Sequence, residues 1–364
     1  MKINIIAPVP SLSRRTRLYK LAQNLLGNNL KLSHFYWSRS VNDSREDFLE
    51  SIDKIEGLNG GGSKVAIRMK YFIWMLNVFI HAIRLPNKSV VWALGFESAF
   101  PCVIASIVKK HRVVYDDADR FSMLFPFPKM IRKILERLEL YTSNKCLVHV
   151  VPTPDRYSSK FTNIFVLPNV PSDREIIESY GLAKNRSRPD ASVVVYYNGW
   201  IGENRGLTNL VRLRKELSPS ELHIIVAGRV DGDLAKSFID MDGVNYIGEV
   251  SQKECLSYYY LSDYIYTYYD PSLEINRYAM SNKWGDALFT NTAIIVNNEV
   301  EYSDVLIESG LGVSFDYHDF DALKKFILFG SFKVDGNLVK NHKNWQTYDA
   351  YIDKLIMNYN LAKK

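Results

Sequence analysis

The sequence predicts an α/β protein made of two doubly wound units. Short apolar runs alternate with helical patterns along the chain, and the alternation breaks once, at a polar stretch after Tyr180, before starting again. The 364 residues also exceed the size at which one hydrophobic core usually keeps growing. In the first half Ile3 to Ile6, Val90 to Leu94, Val113 to Tyr115 and Leu147 to Val151 read as strands. Helices fit between them: Leu18, Leu21 and Leu25 recur at helical spacing, followed by Tyr71 to Ile83 and Ala99 to Val108. The stretch GLAKNRSRPDAS has no apolar periodicity and reads as a linker. Beyond it Val193 to Tyr197, Leu222 to Ala227, Val244 to Ile247, Tyr264 to Tyr268 and Ala293 to Val296 are strands. Helices are expected near Leu207 to Leu217, Glu254 to Leu261 and Asn282 to Phe289, and Asn344 to Leu361 closes the chain as a helix.

An apolar fraction of 47% with 24% charged residues sets aside disordered and fibrous classes. Cys102, Cys146 and Cys255 are isolated from one another, so neither a disulfide framework nor a metal finger is expected. Met1 to Ala7 meets Pro8 and Pro10 instead of a longer apolar core, which predicts no export signal and a cytoplasmic location. Tyr71 to Ile83 is too short to span a bilayer. Residues 1–190 carry 29 Lys and Arg against 17 Asp and Glu, a balance of +12, and the remainder carries −6. A basic first half predicts an acidic partner for that half, either the anionic inner face of a membrane or a phosphate-bearing acceptor. No nucleic-acid motif accompanies the charge, so nucleic acid is not expected as a partner.

The stretch NRYAMSNKWGDALFTNTA puts Asn276, Lys283 and Asp286 just ahead of the strand Ala293 to Val296. A turn opening into a helix at Ser281 or Asn282 aims free backbone N–H groups at an anion. Lys283 supplies charge, and Asp286 supplies an acceptor for hydroxyls, a combination that suits a sugar nucleotide. Gly199, Gly202 and Gly206 permit close backbone approach ahead of a helix from Leu207, with Arg205 placed to clamp phosphates. The bland alternatives are a solvated Arg205 in an ordinary turn, a solvated loop at Asn276, and Asp286 as an exposed acid in a helix's first turn. Tyr264, Tyr266 and Tyr268 alternate as a strand should, and packing accounts for them.

Asn276, Ser281-Asn282-Lys283, Asp286 and the Thr290-Asn-Thr292 turn together resemble the donor-binding segment of retaining GT-B glycosyltransferases, especially family 4. Leu167-Pro-Asn169, Tyr197-Asn-Gly199 with Arg205-Gly206, and Val244-Asn-Tyr-Ile-Gly248 arrive in that family's order. The resemblance implies a GT-B architecture, two Rossmann-like domains facing across a cleft. Residues 1–185 would bind the acceptor and 192–343 the nucleotide sugar, and a helix in 344–364 would pack toward the first domain. It further implies a retaining, metal-independent transfer, with no cofactor beyond a UDP- or GDP-linked sugar as co-substrate and a carbohydrate or lipid-linked acceptor. Gly199, Arg205, Gly248, Lys283 and Asp286 would then bind the donor, and Asn276 would serve the departing phosphate. Trp200 stands where the family usually has an arginine and Tyr278 where it has a glutamate, with Glu274 as a substitute acid. A sugar-nucleotide epimerase of the same fold, or a degenerate subunit that only binds a partner, are the rival readings.

In the first half, Asp116, Asp117 and Asp119 follow a buried strand, where open α/β sheets place ligands. The resemblance carries Asp116 and Asp119 over as the catalytic pair on the acceptor side. Asp117-Ala-Asp119 is also an Asp-x-Asp of the kind that holds a divalent cation, and a charged turn neutralised by Arg120 is a third reading. Arg14 and Arg15 are candidates for an acceptor phosphate, with solvated surface arginines as the alternative. Phe125-Pro-Phe127-Pro followed by Lys129, Arg132, Lys133 and Arg137 reads either as a membrane-surface element, with Ile131 and Leu135 inward, or as an ordinary surface helix.

Overall fold

The computed structural model describes residues 2–12, 15–38, 52–61, 64–124, 127–336 and 345–362. The chain divides into two compact units, Met1–Pro168 with Tyr348–Lys364, and Asn169–Thr347.

Unit 1 contains β1 (Lys2–Ala7), α1 (Thr16–Gly27), β2 (Lys31–Ser38), β3 (Asp53–Asn59), α2 (Lys64–Arg84), β4 (Val90–Leu94), α3 (Phe96–Lys109), β5 (Arg112–Asp116), α4 (Phe121–Leu124), α5 (Lys129–Lys145), β6 (Val148–Val151) and β7 (Ile164–Val166). Its sheet has the order β3-β2-β1-β4-β5-β6-β7, and every pairing is parallel. Parallel strands covered on both faces must be apolar throughout, which is why β4 is buried at all five positions. Trp37, Trp74, Phe96 and Tyr115 fill the core beneath α2 and α3. β2, β3 and β7 are additions to the strands expected from sequence.

Unit 2 begins with α6 (Asp173–Ala183), opened by a capping box in which Ser172 and Glu175 satisfy each other's backbone N–H. Then follow β8 (Val193–Ile201), a 3₁₀ turn (Glu203–Arg205), α7 (Leu207–Glu216), β9 (Leu222–Val230), α8 (Asp233–Ile239), β10 (Val244–Tyr246), α9 (Gln252–Ser257), β11 (Tyr264–Thr267), α10 (Glu274–Arg277), α11 (Asn282–Thr290), β12 (Ala293–Asn297), α12 (Ser303–Glu308), β13 (Gly312–Phe315) and α13 (Phe320–Phe329). The order β10-β9-β8-β11-β12-β13 places the topological switch between β8 and β11. Open sheets of this kind bind ligands at the carboxyl ends of the strands beside that switch. Tyr264, Tyr266 and Tyr268 are buried in the core of this unit.

The division falls at Pro168 and Asn169, earlier than the expected linker after Tyr180. Two arginines of that polar stretch are bound to unit 2: Arg186 stacks on the Tyr258 ring at 4.2 Å and donates to Ser257, and Arg188 pairs with Asp263 at 2.6 Å. Polarity there marks an anchored surface, which sequence alone reads as a linker. The last helix, α14 (Tyr348–Asn358), belongs to unit 1, where the Tyr348 hydroxyl donates to the Arg17 carbonyl at 2.9 Å and Asn24 donates to Asp349 at 3.0 Å.

Candidate functional site

β8 leaves the core of unit 2 through Asn198, Gly199 and Trp200. Gly199 has φ +98°, a region that favours glycine, and a Cβ there would stand 3.6 Å from the Lys283 Nζ. Lys283 therefore lies against the bare backbone at the end of β8. Gly206, at φ +70°, opens α7, and any Cβ would collide with the Tyr266 hydroxyl at 2.5 Å, so the turn carrying Arg205 can close this tightly only on glycine. Gly248, at φ +82°, accepts from the Gly228 N–H at 2.8 Å, and Gly228 is the β9 residue paired with Gly199.

Arg205 Nη1 donates to Asn276 Oδ1 at 2.7 Å, and its guanidinium lies 4.5 Å from the centre of the Tyr269 ring. The Lys283 Nζ lies 5.9 Å from the same ring. Burial pushes the Tyr269 phenol up, but the charges of Lys283 and Arg205 and its hydrogen bonds to Ser281 and Lys283 outweigh burial, and its pKa falls below the usual value. Asn297 fixes Tyr269 by bonding both its backbone N–H (2.8 Å) and its carbonyl (3.1 Å). The cap of α11 is Ser281, whose Oγ accepts from the Lys283 N–H at 3.3 Å.

One turn beyond Lys283, Asp286 is buried and accepts from Gln252 Nε2 at 3.3 Å, a finding that removes the exposed-acid alternative. Asn198 donates to Cys255 Sγ (3.0 Å) and the Tyr259 hydroxyl (3.2 Å), while its buried Oδ1 has no partner among the described residues. Glu274 is exposed at the first turn of α10. Tyr278, at the position where the resemblance expects a glutamate, is hydrogen-bonded to Glu301, which raises its phenol pKa first through charge and then through that bond.

A cavity of about 430 Å³ opens at the carboxyl ends of β8, β9 and β11, lined by Trp200, Arg205, Asp231, Leu273 and Asn276 among others. Trp200 is 55% exposed there, and its indole N–H donates to Asp231 Oδ2 at 3.0 Å. Sequence reasoning brings together Arg205, Asn276, Lys283 and Gly199. It passes over Tyr269, Gln252 and Asp231, and names Asn198 only as the middle residue of Tyr197-Asn-Gly199.

The first-half candidates fare differently. Asp116 is fully buried, with Oδ1 held by Arg17 Nε at 2.8 Å and Oδ2 by Trp92 Nε1 at 3.0 Å. Both oxygens are engaged inside unit 1, so Asp116 holds the end of β5 to α1. Asp119 is half exposed and pairs with Arg156 Nη1 at 3.5 Å. Asp117 takes two tyrosine hydroxyls, those of Tyr115 and Tyr157, each at 2.8 Å, and faces His149 Nε2 at 3.5 Å. Burial alone would raise its pKa, but His149 and the two phenols together hold it below the usual value. Asp117 and Asp119 thus part, one inward and one outward, and the Asp-x-Asp spacing does not bring two carboxylates to one point. Arg15 is exposed ahead of α1, and Arg14 lies outside the described residues.

No protein-family model and no curated protein matches the sequence. Solved structures do match, over almost the whole length of both chains. Sucrose-phosphate synthase from Thermosynechococcus elongatus is similar at TM-score 0.70 and 12% identity, over 100% of this chain and 99% of that one. The α,α-trehalose-phosphate synthase (UDP-forming) from Burkholderia vietnamiensis is similar at 0.62 and 9%, over 99% and 100%. UDP-GlcNAc 2-epimerase from Methanocaldococcus jannaschii is similar at 0.58 and 13%, over 99% and 100%. At such identities the likeness establishes the fold, which is that of the GT-B glycosyltransferases.

Proposed function

We propose that the protein is a glycosyltransferase that moves a sugar from a nucleotide-diphosphate donor to a hydroxyl of a carbohydrate acceptor, free or lipid-linked, in surface polysaccharide or glycolipid synthesis. The observation that carries this reading is the convergence of Arg205 and Lys283 on Tyr269, against the bare backbone of Gly199 and beside the capped start of α11. Two cations, a helix's positive end and a half-open cavity suit a diphosphate that gains charge as the glycosidic bond breaks. Asp286, buried one turn further on, is a hydroxyl acceptor suited to a ribose. Asn276, proposed from sequence as a catalytic group, is assigned to positioning, because its amide is occupied in holding Arg205.

In this mechanism Arg205 and Lys283 stabilise the departing nucleoside diphosphate, the acceptor hydroxyl attacks from the same face, and the donor phosphate takes its proton. Retention and independence from metal belong to the proposal, as does an acceptor site in unit 1 near Asp119 and Arg15.

The test is a thermal-shift screen with UDP, GDP and ADP without added divalent cation, followed by mass detection of transfer to membrane extracts. Stabilisation by one nucleotide, reduced in Arg205→Ala, is expected. Absence of any shift would favour a non-catalytic subunit. The likeness to UDP-GlcNAc 2-epimerase gives an enzymatic rival a foothold. Conversion of a nucleotide sugar into its epimer without any acceptor would decide for that rival.

A further inference from the structure

The outer face of α2 is apolar along its described part. Met69, Phe72, Ile73, Leu76 and Ile80 recur at intervals of three and four residues and so form one stripe, and all five are exposed, Phe72 at 70% and Leu76 at 58%. Trp74, Val78 and Ala82, on the opposite side, are buried in the core of unit 1. A surface helix ordinarily turns polar residues outward, and this one turns a second apolar face to solvent. α5 does the same over its first turns: Met130, Ile131 and Ile134 are exposed, while Leu135 and Leu138 pack inward. Ile131, expected inward from the sequence, is thus on the outer side. α2 packs on α3 and α3 on α5. The beginnings of α2 and α5 are linked by Tyr71, edge-on to Phe121 at 5.8 Å, and Phe121 lies 6.1 Å from Phe127, just ahead of α5.

The charged residues of α2 and α5 are mostly basic. The sequence of α2 contains no Asp or Glu. On α5, Lys129, Lys133 and Arg137 are exposed without an ion pair among the described residues. The acids of α5 are neutralised within the unit: Glu136 pairs with Arg132 at 3.3 Å, and Glu139 is buried against Arg120 and Ser122. The far end of α3 adds exposed Ile107, Val108 and Lys110. Apolar stripes rimmed by unopposed cations match the boundary of a lipid bilayer, where anionic headgroups lie over acyl chains.

We propose that this face of unit 1 docks on a bilayer surface that contains anionic lipid. α2 lies in the interfacial plane with Phe72 and Leu76 toward the acyl region, and Lys129, Lys133 and Arg137 meet headgroup phosphates. Among the described residues no helix is long and apolar enough to cross a membrane, so the contact is peripheral. The proposal uses no residue of the nucleotide site and stands whether or not the transferase reading does.

Full-length protein is sedimented with phosphatidylglycerol vesicles and, separately, with phosphatidylcholine vesicles. Phe72→Ser/Leu76→Ser and Lys129→Glu/Lys133→Glu are run alongside, with melting temperature and size-exclusion profile recorded for each. The wild type is expected to partition at least about 10-fold better onto the anionic vesicles, and each double variant to lose about 10-fold or more of that partition. The lysine pair, at exposed positions, keeps the test decisive if the α2 pair lowers the melting temperature. Equal partition onto both lipids, no partition, or unaltered partition by both variants overturns the proposal. A dimer that Phe72→Ser/Leu76→Ser dissolves, without vesicle binding by the wild type, also overturns it and assigns the face to a second copy of the chain.

Discussion

Asn276 accepts from Arg205 at 2.7 Å through Oδ1 and donates to the Asp270 carbonyl at 2.9 Å through Nδ2. A guanidinium can only donate and a carbonyl only accept, so the amide has a single orientation that satisfies both. The buried amide therefore fixes the arginine at the mouth of the cavity. Arg205→Ala is expected to weaken nucleoside diphosphate binding about 30-fold, and Asn276→Ala about 5-fold through loss of that fixing. In calorimetric titrations the double variant should bind no worse than Arg205→Ala alone, because residues in contact couple. Additive losses would mean that Asn276 acts on the ligand by a separate route.

Tyr269 yields a spectroscopic prediction. Its phenol sits between two cations that hold its pKa below the usual value. In an ultraviolet titration at alkaline pH, the earliest tyrosinate signal should be missing from Tyr269→Phe and shifted upward in Lys283→Met. The sign of the linkage follows from a depressed acid. The phenolate adds stability that is fully present above the ordinary phenol pKa and is lost as pH falls through the folded value. Wild type should gain on Tyr269→Phe as pH rises across that window.

The α/β alternation is legible because β4, β12 and residues 194–197 of β8 are buried on both faces and read as continuous apolar runs. β2 is not legible, since its buried positions include Ser33 and His34, and Ser33 donates to Asn4 on the adjoining strand at 2.8 Å. The same holds at the sites. Arg205 and Lys283 stand out in sequence through their charge beside glycines. Tyr269 does not, because a tyrosine after an alternating tyrosine strand reads as packing. Among three nearby carboxylates, sequence cannot say which turns inward. That depends on Arg17, 99 residues before Asp116 in the chain, and on His149.

Asp286 and Gln252 separate direct contact from support. Asp286 is buried and offers a carboxylate, whereas Gln252 of α9 donates to it at 3.3 Å. Asp286→Ala is expected to weaken binding of the nucleotide that stabilises the wild type by about 100-fold, and Gln252→Ala by only a few-fold. Inorganic pyrophosphate, which has no ribose, should bind wild type and Asp286→Ala alike. A loss of pyrophosphate binding in Asp286→Ala would place the carboxylate in the diphosphate cradle instead.

Asp117 tests what the buried cluster of unit 1 does. Its carboxylate takes the Tyr115 and Tyr157 hydroxyls and faces His149, and these partners hold its pKa below the ordinary carboxylate value despite complete burial. Asp117→Asn removes the charge those donors surround and is expected to cost about 3 kcal/mol at neutral pH. That corresponds to a fall in melting temperature of roughly 6 to 12 °C for a unit of this size. A carboxylate with a depressed pKa contributes stability that is whole above its unfolded value and is lost as pH falls through its folded value. The gap between wild type and Asp117→Asn should therefore be constant from neutral pH down to about 5 and close only in stronger acid. A gap that closes already above pH 5 would mean that the tyrosine and histidine partners do not hold the Asp117 carboxyl down.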